Sequence, residues 1–531
     1  MALPSAHPFS CTGHEVQFDE QTCEQARLNR DARFDGRIFI GVISTGVYCR
    51  PVCPAPHAKR AHVQYFPTAA AAATAGFRPC LRCRPEVAPG TPAWNGTATT
   101  VSRGLRLIAE GALDEDGVEA LAERLGVTSR HLSRLFLRHL GALPTTVARI
   151  RRLHFAKQLI SDTTLSMAQI ATGSGFGSIR RFNDVFRELY GRAPSELRRL
   201  GRRPGIGDHE YVFHLAYRPP YDWDSLLVFL AARSTPGVEA ICDGIYRRAI
   251  MVRDVQGILE VGRIAERHTL RIHIHLTQPV HLLQVISRVR TMFDLAADPE
   301  VIHRHLSRDH LLAPLLDRHP GLRLVGAWDP FEAVVQALLG QSFAPDEVGS
   351  LMDRLVRRHG EPLTVTTAAA DLRCTFPRPA ALAAGALSFM PQSAARMIRA
   401  AAQVMCAMGH DGSLDELLSR LRGIEGIDES AIQYVALRVL NDPDAFPAGD
   451  EAVMRAVVPI FPSQGLPQHV DGWRPWRGYA AMVLMCAAGE LQTAGRRRAA
   501  GSLEGRPPLL KFAARRGGSR LAVVGQPRGS G

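Results

Sequence analysis

The chain has 531 residues, enough for three or four domains rather than one core. Its 46% hydrophobic content excludes a wholly disordered chain, and no apolar run approaches the ~18 residues of a membrane helix. The net charge of +13 is uneven: residues 98–200 carry sixteen basic and ten acidic residues, and the segment from Thr493 onward nine basic and one acidic. Two segments therefore carry the positive charge expected of a nucleic-acid footprint.

The N-terminal MALPSAHPFS lacks a basic region followed by an apolar stretch, so a cytoplasmic protein without membrane partners is expected. Residues 10–88 mix patterns. Gly36–Tyr48 reads as strand, rich in β-branched and aromatic residues. Thr68–Phe77 reads as a short helix stopped by Gly76. Ten cysteines are present, and four are grouped: Cys49-x3-Cys53, then 26 residues, then Cys80-x2-Cys83. Two close pairs of this kind deliver four thiolates to one tetrahedral Zn2+, and a reducing compartment favours metal over disulfide. The plain alternative is a purely structural zinc site.

A Pro/Gly-rich linker, Val87–Ala98, precedes a helical region. Two helix–turn–helix units are expected, at Val118–Gly141 and Ser166–Gly191. The second helix of such a unit fits a major groove. Ser129, Arg130, Ser133 and Arg134 begin the first candidate; Ser178, Arg180, Arg181 and Asn183 begin the second. An ordinary helical bundle with exposed arginines is the competing reading. After a linker at Arg198–Gly207, strands alternate with helices to about Leu322, and Leu324–Glu490 is almost wholly helical by period. The Gly- and Arg-rich tail reads as disordered.

YCRPVC and GFRPCLRC, within residues 15–88, resemble the N-terminal domain of Ada-type DNA repair and regulatory proteins. The resemblance implies that Cys49 is both a zinc ligand and the irreversible acceptor of a methyl group from a methylated DNA phosphate. Cys53, Cys80 and Cys83 would be the other ligands. A zinc ion with four thiolates carries a formal charge of −2. It would repel phosphodiesters but admit a neutral phosphotriester, and methylating Cys49 would leave −1 and weaken the repulsion of DNA. GFGSIRRFNDVFRELYGRAPSELR resembles AraC-type regulators over about residues 100–200, which implies promoter recognition.

YRPPYDWDSLLVFLAARSTPGVEAI and WDPFEAVVQALLGQ resemble AlkA-type 3-methyladenine DNA glycosylases, over about Tyr211–Glu490. In that family Leu421–Arg438 corresponds to the helix–hairpin–helix and Asp450 to the catalytic aspartate, whose carboxylate would stabilise an oxocarbenium-like sugar. From sequence alone an aspartate after Pro-Ala-Gly is a helix cap. The resemblance also implies a base pocket at Gln341 and Tyr434. Several positions depart from it: Glu425 and Asp428 add carboxylates to the hairpin, Ser430 and Met485 stand where aromatics stack on the flipped base, and Ser342 replaces an apolar wedge. Two lost stacks would cost about 10²–10⁴ in affinity. No PCHR-like cysteine site appears, so a second methyltransferase domain is not expected.

The expected architecture is multidomain α+β. A small zinc-binding α/β domain (10–88) precedes an all-α double helix–turn–helix domain (99–200). An α+β AlkA-like N-terminal subdomain (208–322), an all-α helix–hairpin–helix glycosylase domain (323–492) and a basic disordered tail (493–531) follow. The expected function is an alkylation-damage response: phosphotriester methyl transfer, activation of repair genes and excision of alkylated purines. Double-stranded DNA is the expected partner, with RNA polymerase a further partner of the activator. The alternative is a methylation-sensing regulator whose glycosylase-like half is weak or inactive.

Overall fold

The computed structural model describes residues 18–85, 88–89, 99–113, 116–200, 209–365, 371–409, 414–461 and 466–501. Residues 1–488 form one compact unit and Gly489–Gly531 a second.

The N-terminal domain is a four-stranded sheet in the order Val63–Phe66, Phe39–Val42, Val47–Cys49, Arg78–Pro79. Its first three strands pair antiparallel, and the last pairs parallel to Val47–Cys49. The single strand expected over Gly36–Tyr48 is thus two strands of a hairpin. β-Branched residues flank the turn on both sides and hide it, and only Gly46, at φ +63°, marks the reversal. Helix Ala69–Thr74, capped by the Thr68 hydroxyl, buries Ala70, Ala71 and Ala72. Small side chains there let the helix lie close to the sheet.

The next domain is a repeat. Helices Val118–Arg124 and Ser129–Leu140 form one pair, and Met167–Gly173 and Ile179–Tyr190 the other. Each second helix starts after a hydroxyl cap, Thr128 or Ser178, and ends at a left-handed glycine, Gly141 or Gly191. Only glycine takes that conformation without strain, so both helices are cut to the same length. Each buries an aromatic–aliphatic stripe: Leu132, Phe136 and Leu140 in the first; Phe182, Phe186 and Tyr190 in the second. The 19-residue helix Pro144–Asp162 joins the pairs.

A five-stranded antiparallel sheet follows, in the order Glu210–Ala216, Thr269–Leu276, Val255–Ile264, Ile245–Val252, Glu239–Cys242. Helices from Pro330–Gly340 onward complete the fold around one extended apolar core, which ends at Ala488. The tail expected to be disordered from Thr493 is helical as far as Gly501. Ala and Arg in QTAGRRRAA are good helix formers, which composition-based reading of a basic tail overlooks. Residues 502–531 lie outside the described residues. Among the described residues no helix is long and apolar enough to cross a membrane.

Charged contacts bolt the parts together. Arg37 of the N-terminal domain meets Asp298 at 2.6 Å, both side chains buried. Arg84 donates to both oxygens of Asp162 at 3.1 Å. At the junction of the five-stranded sheet and helix Pro330–Gly340, Arg248 bridges Glu239 at 2.8 Å and Glu332 at 2.9 Å, all three buried. Tyr246 and Thr235 donate to the same two carboxylates. Burial pushes the Glu239 carboxyl above its ordinary range, against the pull of Arg248. Removing the arginine strands two acids without a counter-charge. Arg248→Met is therefore expected to lower stability by about 3–5 kcal/mol, read as a lower chemical-denaturation midpoint.

Candidate metal centre and nucleic-acid interface

The two cysteine pairs are brought together by main-chain pairing. Val47 lies beside Arg78 and Tyr48 beside Pro79 in parallel register, and the Cys80 N–H donates to the Tyr48 carbonyl at 2.9 Å. Cys49 and Cys80, the next residue on each strand, consequently arrive side by side. A turn closed by the Cys53 N–H on the Arg50 carbonyl, at 3.1 Å, folds Cys53 back, and a turn from Cys80 to Arg84 does the same for Cys83. All four sulfurs lie within 4.8 Å of one another and are buried. A tetrahedron with Zn–S bonds of about 2.3 Å has edges of about 3.8 Å, so the donor set fits one zinc.

The thiols perturb one another strongly. Hydrogen bonding from Cys49 holds the Cys53 thiol down at about 7, and the same contact lowers Cys80, whereas Cys49 and Cys83 are pushed up by their sulfur neighbours. The Arg50 N–H donates to Cys83 Sγ at 3.3 Å. Fractional exposure does not separate it from the others, at 8% for Cys49, Cys53 and Cys80 and 6% for Cys83.

The residues flanking Cys49 anchor it. The Arg50 guanidinium donates from Nε to Asp35 at 2.8 Å and from Nη1 to the Cys83 carbonyl at 3.1 Å, in a buried bidentate pair with Asp35. The Tyr48 hydroxyl lies 2.8 Å from His154 Nε2 on the long helix Pro144–Asp162. Sequence reading missed both. The arginine inside YCRPVC was a signal, but Asp35 fifteen residues upstream gave none.

In the helix–turn–helix pairs, Arg130, Arg134, Arg180 and Arg181 are exposed, while Ser129, Ser133 and Asn183 are half-buried. Ser178 spends its hydroxyl capping its own helix, accepting from the Arg181 N–H at 3.2 Å. In the first pair Thr128 has that role, so Ser129 is the first residue inside the helix.

The C-terminal candidates separate. Asp450 caps helix Glu451–Ile460, with Oδ1 accepting from the Ala452 and Val453 N–H groups at 2.9 and 3.1 Å. Oδ2 takes neither bond. Asp428, unexpected in the hairpin, caps helix Glu429–Val439 by accepting from the Ala431 N–H at 2.7 Å. Gln341 straddles the hairpin: Nε2 donates to the Gly426 carbonyl at 2.7 Å, and Oε1 accepts from the Asp428 N–H at 3.3 Å. Tyr434 is buried and its hydroxyl accepts from Arg438 Nη1 at 2.8 Å. Met485 is buried, Ser342 exposed.

A sulfur-rich metal site, paired DNA-reading helices and a sheet-plus-helix domain define a multidomain DNA-acting protein. Three family models match: "Metal binding domain of Ada" over residues 22–86, "Helix-turn-helix domain" over 121–200 and "AlkA N-terminal domain" over 212–329. The "Probable bifunctional transcriptional activator/DNA repair enzyme AlkA" of Mycobacterium tuberculosis (strain CDC 1551 / Oshkosh) is 36% identical over 480 residues, 88% of this chain and 96% of that protein. The "DNA-3-methyladenine glycosylase 2" of Escherichia coli (strain K12) is 29% identical over 287 residues, 52% of this chain and 98% of that protein. The "Bifunctional transcriptional activator/DNA repair enzyme Ada" of the same bacterium is 38% identical over 120 residues, 23% of this chain and 32% of that protein. The chain belongs to the family of bifunctional transcriptional activator/DNA repair proteins that join an Ada-type zinc domain to an AlkA-type glycosylase.

Because four thiolates at one site require a shared cation, elemental analysis of purified protein is expected to find one zinc per chain. Cys80→Ala is expected to reduce that to a small fraction, since it removes the ligand that the strand pairing delivers.

Proposed function

We propose that this protein repairs and senses methyl phosphotriesters through Cys49, uses that event to activate repair promoters, and hydrolyses the glycosidic bond of alkylated purines with Asp450. The observation that carries the first part is the sulfur cluster itself: Cys49, Cys53, Cys80 and Cys83 converge within 4.8 Å, buried, in a segment that matches the metal-binding domain of Ada. Zinc, when bound, keeps the sulfurs deprotonated at neutral pH. Cys49 Sγ attacks the methyl carbon as the carbon–oxygen bond breaks, and the phosphodiester leaves with the electron pair and the negative charge. The sulfur becomes a thioether, so each protein acts once.

Arg130, Arg134, Arg180 and Arg181 are proposed to face DNA, with Ser129, Ser178 and Asn183 at the start of the same helices. Ser178 would act there mainly by fixing the helix start. Activation implies RNA polymerase as a partner in the cytoplasm. We assign the domains to residues 10–88, 99–200, 208–322 and 323–492, and place Gln341 and Tyr434 at the base site. For the glycosylase, Asp450 Oδ1 is spent on the helix cap, and Oδ2 is the oxygen left to face a cationic sugar. A second reading, a regulator without base excision, is favoured by Ser430, Ser342 and Met485 standing where stacking and wedging groups are expected.

Two experiments test this. Mass mapping after incubation with methylated DNA is expected to place one methyl group on Cys49 and none on Cys49→Ala. The methylated protein should then bind promoter DNA about tenfold or more tightly at low salt, because one negative charge is gone. Released 3-methyladenine, measured by chromatography, is expected to fall about 10²-fold or more in Asp450→Asn. Absence of release by the wild type would select the second reading.

A further inference from the structure

We propose that Ser430 and Gln433 are positioning residues for Asp450, holding its loop against the second hairpin helix so that hairpin and acid form one rigid piece. This deepens the glycosylase reading and rests on it.

Asp450 ends the loop that leaves helix Glu429–Val439 and enters helix Glu451–Ile460. That loop runs back along the helix it has just left and is pinned to it twice. The Phe446 N–H donates to Gln433 Oε1 at 3.2 Å, and the Gly449 N–H donates to Ser430 Oγ at 2.9 Å. Ser430 and Gln433 are three residues apart, so both side chains leave the same helix face. The second pin is one residue from the acid. The loop also tightens on itself: the Asp450 N–H donates to the Pro447 carbonyl at 3.0 Å before its carboxylate caps the next helix.

Two further observations fit a built contact rather than an accidental one. A Cβ placed on Gly449 would lie 3.1 Å from both Cβ and Oγ of Ser430, so any larger residue at 449 would press the two segments apart by a few tenths of an ångström. Gln433 is itself aligned: its Nε2 donates to Glu429 Oε1 at 2.8 Å, and Glu429 receives Arg422 at 3.1 and 3.0 Å from the other arm of the hairpin. A continuous polar chain thus runs from Arg422 through Glu429 and Gln433 to the loop backbone.

The serine therefore has a use in this chain besides the loss of a stacking ring. A carboxylate that stabilises developing charge depends steeply on distance, and a 1 Å displacement costs about 10²-fold. Ser430 and Gln433 touch no reacting atom and act through the loop.

The test uses the full-length protein and duplex DNA methylated with dimethyl sulfate, measuring single-turnover purine release and, separately, DNA affinity. Ser430→Ala and Gln433→Ala are each expected to slow release about tenfold or more while DNA affinity stays within about twofold. Ser430→Thr, which keeps the accepting oxygen, is expected to restore most of the rate. Hydrogen exchange at the Gly449 and Phe446 amides should quicken in the alanine variants and not in Ser430→Thr. Release at the wild-type rate by both alanine variants, or equal losses in Ser430→Ala and Ser430→Thr, would overturn the proposal. A wild-type protein that releases no base overturns the glycosylase reading and this inference with it, a result seen before any variant is made. Should Ser430→Ala fail to fold, the release rate and Phe446 amide exchange of Gln433→Ala decide the matter.

Discussion

The chemistry of the N-terminal half depends on a two-residue parallel pairing. Tyr48 beside Pro79, held by main-chain hydrogen bonds from the Arg78 N–H to Gly46 and the Cys80 N–H to Tyr48, closes a loop of more than twenty residues and sets Cys49 against Cys80. Parallel pairing of adjacent chain segments needs a crossover, and here helix Ala69–Thr74 supplies it. Its alanines are the condition for that crossover to lie flat on the sheet. The metal site is therefore a property of sheet register first and of cysteine spacing second.

The same segment distributes constraint outward. Tyr48 reaches the long helix of the DNA-reading domain through His154, and Arg50 is clamped between Asp35 and the Cys83 carbonyl. Arg37, one turn of chain from Asp35, is held by Asp298 of the glycosylase-like half. The sulfur cluster, the helix–turn–helix pairs and the AlkA-like half are thus tied through buried or half-buried polar contacts rather than strung on loose linkers. Such contacts add little net stability but specify one arrangement, because a mis-docked alternative would leave charges buried and unpaired.

What could be read in the sequence follows from how local each signal is. Cys49, Cys53, Cys80 and Cys83 were legible because ligand spacing is a short-range pattern and four thiolates select a soft, tetrahedral metal ion. Helix Ser129–Leu140 and helix Ile179–Tyr190 were legible from their apolar stripes and closing glycines. The hairpin turn at Ser44–Gly46 was not, because isoleucine and valine continue the strand pattern through it. Ser430 is instructive in the same way. Read along the chain it is a missing aromatic; in the fold it is half of a close contact with a glycine nineteen positions on. Asp450 was legible as a helix cap, and the fold shows that cap made by one carboxylate oxygen. Asp428 looked like an added charge on the hairpin and proves to be an ordinary helix cap.

The helix Pro144–Asp162 that joins the two DNA-reading pairs has a further meaning. Nineteen residues at 1.5 Å each span about 28 Å, close to the ~34 Å advance of one duplex turn. It serves as a ruler whose length is set in residues and whose output is an angle. One inserted residue would rotate everything beyond it by about 100°. Single substitutions on either pair leave that angle untouched, whereas any change in the length of this rod re-aims one whole pair against the other.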